Sequence, residues 1–545
     1  MKTNFKILTF ALFALATIAC SSPKKMVKEA ENVTVSCSPT TLEAVAGKIT
    51  TEITVNYPEN YFHPQAILEV TPVIVYEGGE SKLTPFVYQG EKVKDNGELV
   101  NKDGDIVTKK LTFDYVKGME KSYLELRGVV KSKNKSYVLP SKKVADGVNT
   151  TYMLACTKGK VDFKADNYQE IIKQTAEGQI NYSINSSYVN SNVYKSESIK
   201  NFQAAIDEIK ANERKTIVST DIVAYASPDG KEDMNTKLSD KRSETANKVF
   251  EKATKENPLN APVDVKSIGE DWDGFQDLVA NSDLEDKELI IRVLSMYSNP
   301  EVREKEIKNM SAVYKSLAKD ILPALRRARF IANVEYTNFT SEELLKLIDS
   351  NADALDEEAL LRTASLVKDD ATKIAIYNKA ATKYNSVRAQ YNIAVVNLKA
   401  NKIAEAKDAL AKVSVKDADY NNAMGVVALQ EGNFVEAAKC FVAAGTATAK
   451  ENLAVIDIYN GNYDEAAAKL AGTKSYNEVV ALVLTGNAKK AEGMLNCDCP
   501  YVAYLNAVIA ARLGKAEDVK ANLTKASEEK SLAAKAAKDI EFVQF

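Results

Sequence analysis

The hydrophobic pattern differs between three successive regions of the chain. Between about residues 33 and 160, short runs rich in valine, isoleucine, threonine and tyrosine, such as Ile49 to Val55 and Ile67 to Tyr76, alternate with glycine- and asparagine-containing turns. Runs of this kind are typical of half-buried strands joined by tight turns. We therefore expect an all-β sandwich of the immunoglobulin-like kind over residues 33–160.

The middle of the chain alternates between strand and helix patterns. Ile180, Tyr182 and Ile184 follow the period of a strand, and a helix face repeats at steps of three and four from Ile199 to Ile209. The remaining elements are expected as strands at Ile217 to Tyr225, Val263 to Ile268 and Arg326 to Tyr336, and a helix beginning near Leu238. The pattern predicts an α/β domain over residues 178–338.

A helical insertion is expected inside this domain, at about residues 281–322. Asn299-Pro300 has the form of an N-cap followed by a first-turn proline. Apolar residues then keep one face from Ile307 to Ile321. These features predict a single helix of about four turns that ends at Pro323.

The last part of the chain, residues 341–545, is alanine-rich and repetitive. A short motif, seen most clearly from Gly432 to Ala437, recurs with spacings of 25 to 31 residues. Its copies begin at Asn401, Gly432, Gly461, Gly486 and Gly514, and are followed by Leu410, Phe441, Leu470, Leu495 and Leu523. Such a repeat predicts stacked helical hairpins, in which the first residue opens the turn and the later one packs inside.

These copies resemble tetratricopeptide (TPR) repeats, although that family's usual period is about 34 residues. The Gly432 copy carries most of the fuller pattern, with Gly425 in its first helix and Phe441 in its second. The resemblance implies an all-α solenoid that recruits envelope proteins as partners. The alternative is that the array is a structural spacer.

Composition and charge indicate several folded domains and argue against nucleic-acid binding. With 545 residues, 45% of them hydrophobic and 27% charged, the chain is expected to form several folded domains. The formal net charge of -3 leaves no cationic excess to neutralise a phosphate backbone, so we expect no nucleic-acid partner.

The first residues have the pattern of an export signal. Lys2 and Lys6 precede a short apolar run, which predicts a signal peptide over residues 1–19. Thr17-Ile18-Ala19-Cys20 resembles the lipobox of bacterial lipoproteins. The resemblance implies acyl chains, such as palmitate, on Cys20 and a tether over residues 20–32. We expect attachment to the outer membrane on its periplasmic face; the alternative is a plain secreted protein.

The remaining cysteines suggest structural roles. Cys37 and Cys156 bracket the predicted sandwich and are candidates for a disulfide worth about 4 kcal/mol, with two buried thiols as the alternative. Cys497 and Cys499 lack the second pair that a zinc site requires. We expect no metal and no cofactor.

The most specific motif lies in the α/β domain. Ala224 to Gly230, followed by Asn-x-x-Leu-Ser-x-x-Arg from Asn235 to Arg242, resembles the peptidoglycan-associated domain of the OmpA-like family. The resemblance implies that an arginine and an aspartate bind the diaminopimelate of the cell wall through charge-assisted hydrogen bonds. Arg242 matches the arginine, but Ser227 occupies the aspartate position.

The other residues of this motif leave two interpretations open. Asp229 could replace the missing aspartate or simply form the turn that Pro-Asp-Gly favours. Asn235 is either a loop-capping residue or a ligand contact. Peptidoglycan is therefore one expected partner, and the alternative is a structural module in a secretion, pilus or outer-membrane complex.

Catalysis is not expected. His63 is the one histidine in the sequence, and no nucleophile, phosphate-loop or metalloprotease motif occurs. The sequence as a whole predicts a lipid-anchored, non-enzymatic scaffold.

Overall fold

The computed structural model describes residues 22–255 and 258–545, so the predicted signal peptide and Cys20 lie outside the described residues. The chain divides into two compact units. Unit 1 combines the residues up to Lys164 with Asn385–Phe545, and unit 2 is Ala165–Tyr384. The N-terminal sheet region and the C-terminal repeats were predicted as separate modules, but they belong to one unit that unit 2 interrupts in sequence.

The N-terminal region of unit 1 is rich in β-sheet. After helix α1 (Pro23–Lys28), the strands are Thr34–Ser38 (β1), Thr41–Val45 (β2), Lys48–Tyr57 (β3), Ile67–Tyr76 (β4), Gly79–Lys82 (β5), Phe86–Gln89 (β6), Glu98–Leu99 (β7), Asp105–Asp114 (β8), Ser122–Ser132 (β9), Lys135–Val138 (β10) and Lys142–Asn149 (β11). The strands predicted at Ile49 to Val55 and Ile67 to Tyr76 are confirmed, as β3 and β4.

Strand β2 joins two groups of strands in this region. β3 pairs antiparallel with β1, β2 and β8, whereas β9 pairs antiparallel with β4, β10 and β11. β2 also pairs in parallel with β11. Along β3, Ile49 and Ile53 are buried while Thr50 and Glu52 are exposed, as the two-residue period of a strand requires.

Unit 2 begins with an α/β region. Its sheet has the order β12-β15-β13-β14, with one parallel pair, β13 and β14. Its elements are Ile171–Asn181 (β12), Glu197–Ala211 (α2), Lys215–Ala226 (β13), Glu232–Ala253 (α3), Val263–Glu270 (β14) and Arg327–Thr337 (β15). The predicted positions of β13, β14 and β15 are confirmed. The strand predicted around Ile180 to Ile184 differs from β12, which begins at Ile171 and ends at Asn181. Every residue of β12 pairs with a residue of β15.

The helical insertion lies between β14 and β15 and is wider than predicted. Its helices are Trp272–Ala280 (α4), Lys287–Met296 (α5), Pro300–Asn309 (α6), Ser311–Asp320 (α7) and Leu322–Leu325 (α8). Asn299 is an N-cap, as predicted, and accepts a hydrogen bond from the Val302 amide. The predicted single helix is instead broken at Met310, whose ψ of 72° departs from helical geometry.

Three more helices complete unit 2, and the array of unit 1 follows. The unit 2 helices are Ser341–Ser350 (α9), Glu357–Leu366 (α10) and Asp370–Tyr384 (α11). The array consists of Val387–Lys399 (α12), Ile403–Ala411 (α13), Ala418–Gln430 (α14), Phe434–Ala444 (α15), Ala447–Asn460 (α16), Tyr463–Leu470 (α17), Tyr476–Leu484 (α18), Ala488–Ala491 (α19), Pro500–Arg512 (α20), Ala516–Ala526 (α21) and Lys530–Ala536 (α22). The predicted repeat start at 341 therefore differs from the unit boundary at Asn385. Across the described part of the chain, every helix is too short or too polar to cross a membrane.

The repeat motif forms the same turn in each hairpin. Asn401, Gly432, Gly461, Gly486 and Gly514 all have positive φ. At Gly432, the amide donates to the Leu429 carbonyl and the next amide, that of Asn433, donates to the Ala428 carbonyl. This pair of bonds is a Schellman motif, which ends a helix where a left-handed residue is available. The sequence prediction of helical hairpins is confirmed.

The first and second helices of a hairpin approach closely where small residues permit it. A Cβ added to Gly425 of α14 would lie 2.5 Å from the Phe441 ring of α15. Phe441 is buried in a hydrophobic core that continues from the array into the sheet region. Packing inside unit 1 therefore depends on both parts of the chain.

Candidate functional site

The predicted cell-wall arginine is fully enclosed by its own domain. Arg242 lies in α3 and is 1% exposed. Its guanidinium donates to the carbonyls of Ser183 (3.2 Å), Ser186 (3.0 Å) and Tyr225 (2.8 Å), and it lies over the ring of Tyr182. Burial lowers the pKa of Arg242 to about 10. The guanidinium donors of Arg242 are therefore all directed at main-chain oxygens of its own domain.

The aspartate position of the motif is also closed. Ser227 is 4% exposed, and its hydroxyl lies 2.7 Å from an Asp229 carboxylate oxygen. Arg326 donates to the Ser227 hydroxyl (3.2 Å) and forms an ion pair of 3.0 Å with Asp229. Asp229 is thus the counter-ion of Arg326, a residue that the sequence analysis placed only in the closing strand. No sequence signal identified this pairing.

Asn235 has the geometry of a loop-capping residue. It is buried inside α3, and its side-chain amide donates to the Ser227 carbonyl (3.2 Å) and to Glu270 (2.8 Å). Burial raises the pKa of Glu270. The structure brings Ser227, Asp229 and Asn235 together, as the motif predicts, but joins them to one another rather than leaving them open.

The predicted disulfide is not formed. Cys37 and Cys156 are free thiols. The Cys37 sulfur lies 3.1 Å from the Thr51 hydroxyl between β1 and β3, whereas the Cys156 main chain is bonded to α18. The two cysteines are thus held by different elements. Among residues 22–255 and 258–545, no group of three or more His, Cys, Asp or Glu side chains is placed to hold a metal ion.

A second site, which the sequence analysis missed, lies on the helical array. Residues 156–164, here called the strap, leave the sheet region and run along the first helices of successive hairpins. Asparagines of those helices contact the strap main chain: Asn392 of α12, Asn422 of α14, Asn452 of α16 and Asn477 of α18. We call these residues the asparagine ladder and the surface they form the strap site.

Three ladder residues each bind both main-chain groups of one strap residue. Asn477 accepts from the Cys156 amide (2.7 Å) and donates to its carbonyl (3.0 Å). The same paired bonds join Asn452 to Lys160 (2.7 and 2.8 Å) and Asn392 to Lys164 (2.8 and 2.9 Å). Asn422 adds a bond of 3.0 Å to the Lys160 carbonyl. The ladder therefore binds the main chain of every fourth strap residue, namely Cys156, Lys160 and Lys164.

Side chains of the strap add charge pairing to these bonds. Lys160 forms an ion pair with Glu451 (3.0 Å), and Lys164 forms ion pairs with Asp417 (2.6 Å) and Asp419 (3.0 Å). Burial acts to lower the pKa of Lys164, but the two carboxylates outweigh it and raise this pKa overall. The strap site is thus acidic where it meets the two lysines of the strap, a segment that turns at Thr157 and Lys158 and has no regular secondary structure.

The positions of the ladder asparagines follow the repeat motif in the sequence. Asn392, Asn452 and Asn477 each lie nine residues before the turn residue of their hairpin, and Asn422 lies ten before Gly432. Their spacing places these side chains at equivalent points of successive first helices. Only the folded array, however, reveals that the occupant is part of the same chain.

Comparisons with known proteins add little to this geometry. No family model matches the chain, and no curated protein matches it. A solved structure titled "Crystal structure of YrrB: a TPR protein with an unusual peptide-binding site" is 21% identical, and the match covers 36% of this chain and 100% of that one with a TM-score of 0.21. At that TM-score the likeness supports no statement about this chain.

Proposed function

We propose that this protein is a non-enzymatic scaffold of the bacterial envelope, attached to the outer membrane through lipid on Cys20 and facing the periplasm. The observation that carries the scaffold role is the strap, because the asparagine ladder joins the sheet region to the helical array. Such a structure fits a protein that holds parts in a fixed arrangement. The lipid anchor and the location are supported by the export signal and the lipobox-like sequence before Cys20.

For unit 2, the geometry favours a structural module over a cell-wall anchor. We propose an OmpA-like fold in which the peptidoglycan site is closed, because Arg242 is enclosed by carbonyls and Asp229 is paired with Arg326. A diaminopimelate carboxylate could reach Arg242 only if these bonds were broken. Hydrogen bonds to a charged group are worth about 1.5–3 kcal/mol each, so this opening would be costly.

The helical array is proposed as the part that recruits protein partners. Its acidic strap site binds the main chain of a polypeptide segment through the asparagine ladder. This is the geometry expected of a surface that recruits a peptide. A catalytic role is not proposed. His63 lies in the sheet region, where its Nδ1 atom accepts the Gln65 amide at 3.1 Å.

Sedimentation of the full chain with purified diaminopimelate-type peptidoglycan tests the proposal for unit 2. We expect the native protein to stay in the supernatant, and we expect Ser227→Asp to do the same because Arg326 can pair with the new carboxylate. The matched control for Arg242→Ala is Lys241→Ala, an exposed neighbour in α3. Binding by the native chain that Arg242→Ala removes, without loss of folding, would instead establish a cell-wall anchor.

The anchor is tested separately by expressing the full chain with labelled palmitate in a Gram-negative host. We expect label in the protein and recovery with the outer membrane, and we expect Cys20→Ala to remove both. Retention of label in Cys20→Ala would contradict lipidation at this residue.

A further inference from the structure

We propose that the strap site is a receptor for an extended basic peptide of a partner protein, and that the strap is its resident occupant in the absence of that partner. This inference rests on the proposed role in protein interaction and defines the chemistry of the partner. Because the strap occupies the site, the contacts of residues 156–164 indicate which features a partner peptide needs.

Most hydrogen bonds between the asparagine ladder and the strap do not depend on which side chains the strap carries. Asn392, Asn452 and Asn477 contact only amide and carbonyl groups of the strap, which every residue except proline offers. A segment from another chain can make the same bonds if it adopts the turn seen at Thr157 and Lys158 and presents its main chain at every fourth residue. Exchange between the strap and such a segment would leave no ladder residue without a partner.

Selectivity comes from two basic positions. Lys160 reaches Glu451, and Lys164 reaches Asp417 and Asp419 while lying 5.2 Å from the ring centre of Tyr391. A segment with lysine or arginine four residues apart would reproduce both contacts. An acidic segment would be repelled by the same carboxylates.

Two other strap positions, Gly159 and Val161, further restrict which peptide sequences the strap site can bind. Gly159 has φ of +71°, and a Cβ at this residue would lie 2.7 Å from a methyl carbon of Val426. Val161 is 4% exposed and packs in the unit 1 core. The site therefore selects the pattern Gly-basic-apolar-x-x-basic, as found from Gly159 to Lys164.

The strap has the advantage of being tethered. A short covalent connection gives an effective concentration in the millimolar range, so a free peptide competes poorly with the native strap. The Lys160 side chain is 54% exposed, and an exposed ion pair of this kind is worth about 0–1 kcal/mol. The Lys164 side chain is 18% exposed and pairs with two carboxylates, so it holds the strap more firmly. Weakening the strap through its lysines should therefore open the site without removing the ladder.

The test uses the full chain and a fluorescein-labelled peptide copying residues 155–166, with serine at the cysteine position. The opened protein carries Lys160→Glu and Lys164→Glu, and the control carries Lys158→Glu, the same change at an exposed strap lysine. Fluorescence anisotropy should give binding at least tenfold tighter for the opened protein than for the native protein or the control. Asn452→Ala in the opened background should reduce that affinity at least tenfold.

Peptide variants test the predicted pattern. A peptide with alanine at the Gly159 position and one with glutamate at both lysine positions should each lose at least tenfold in affinity for the opened protein. If the opened protein keeps its native circular dichroism and cooperative melting but binds the original peptide no better than the charge-reversed one, the strap is purely structural and the proposal is wrong.

A measurement on the native chain covers the case in which the opened protein does not fold. The Lys160 and Lys164 amides are bonded to ladder residues and should exchange slowly with deuterium. Several millimolar unlabelled peptide should accelerate their exchange by displacing the strap, and unchanged exchange would overturn the proposal. Neither outcome affects palmitate labelling or peptidoglycan sedimentation, so failure here is distinguishable from failure of the proposed function.

Discussion

Asn452 and Lys160 form a closed ring of two hydrogen bonds, although 292 residues separate them in sequence. The Asn452 side chain accepts from the Lys160 amide and donates to its carbonyl, and it also donates to the neighbouring ladder residue Asn422 at 2.9 Å. Unit 1 therefore depends on contacts between its two segments, which are far apart in sequence.

Removing a ladder residue should destabilise unit 1. Asn452→Ala leaves the Lys160 amide without its acceptor, and an unsatisfied buried group costs about 1–3 kcal/mol. We expect a loss of about 2 kcal/mol in the free energy of unfolding, measured by urea denaturation with far-ultraviolet circular dichroism. Asn421→Ala, beside a ladder residue in the same array, is the control and should change stability by less than about 0.5 kcal/mol. Equal effects from both variants would contradict a specific role for the ladder.

Arg242→Ala should destabilise unit 2. The change removes a donor from the carbonyls of Ser183, Ser186 and Tyr225 and leaves a cavity beside Tyr182; the Ser183 carbonyl keeps the Ser186 amide as a donor. Because hydrogen bonds to charged groups are individually worth about 1.5–3 kcal/mol, we expect a loss of about 3 kcal/mol or more in urea denaturation. Lys241→Ala should leave the midpoint nearly unchanged. A stable Arg242→Ala protein would mean that the carbonyls find other donors.

Gly425→Ala should introduce a steric clash with Phe441. The added methyl would lie 2.5 Å from the ring, and overpacking of this kind costs about 1–3 kcal/mol. Phe441→Leu is destabilising by itself, but it should offset part of the cost of Gly425→Ala. A double-mutant cycle by thermal denaturation checks this coupling, and strictly additive effects would show that the two residues do not clash.

Glu541 should give unit 1 a defined dependence on pH. Burial acts to raise its pKa, but hydrogen bonds and charge from Arg512, together with bonds from Asn149 and Thr151, hold the pKa below its ordinary value. A depressed pKa in the folded state stabilises the fold above the unfolded value of about 4.3, and this contribution is lost as the pH falls through the folded pKa.

The corresponding variant is Glu541→Gln. We expect it to lose about 2 kcal/mol at pH 7, with the difference from the native protein shrinking between about pH 4.3 and the lower folded pKa. Urea midpoints measured from pH 7 to pH 3 check this trend, with the exposed Glu528→Gln as control. A difference that stays constant with pH would exclude a role for the carboxylate charge.

The sequence by itself determined the local structure of most elements. Val263 to Ile268 and Ile217 to Tyr225 form strands because their β-branched residues favour extended backbone, and Asn299-Pro300 starts a helix because its side chain satisfies a free amide. The hairpin turns at Gly432 and its equivalents follow from the left-handed backbone that glycine adopts without strain. All these features depend on residues that are close in sequence.

The tertiary structure alone decided which distant groups meet. The motif around Arg242 left a peptidoglycan site and a structural module as alternatives, and the Ser183 and Ser186 carbonyls and Arg326 occupy its polar groups from other parts of the chain. Likewise, the repeats predicted a helical array but did not indicate that residues 156–164 lie along it. Hydrogen bonds between main-chain groups and amide side chains leave no pattern in the sequence of the segment that is bound, because every residue offers the same amide and carbonyl.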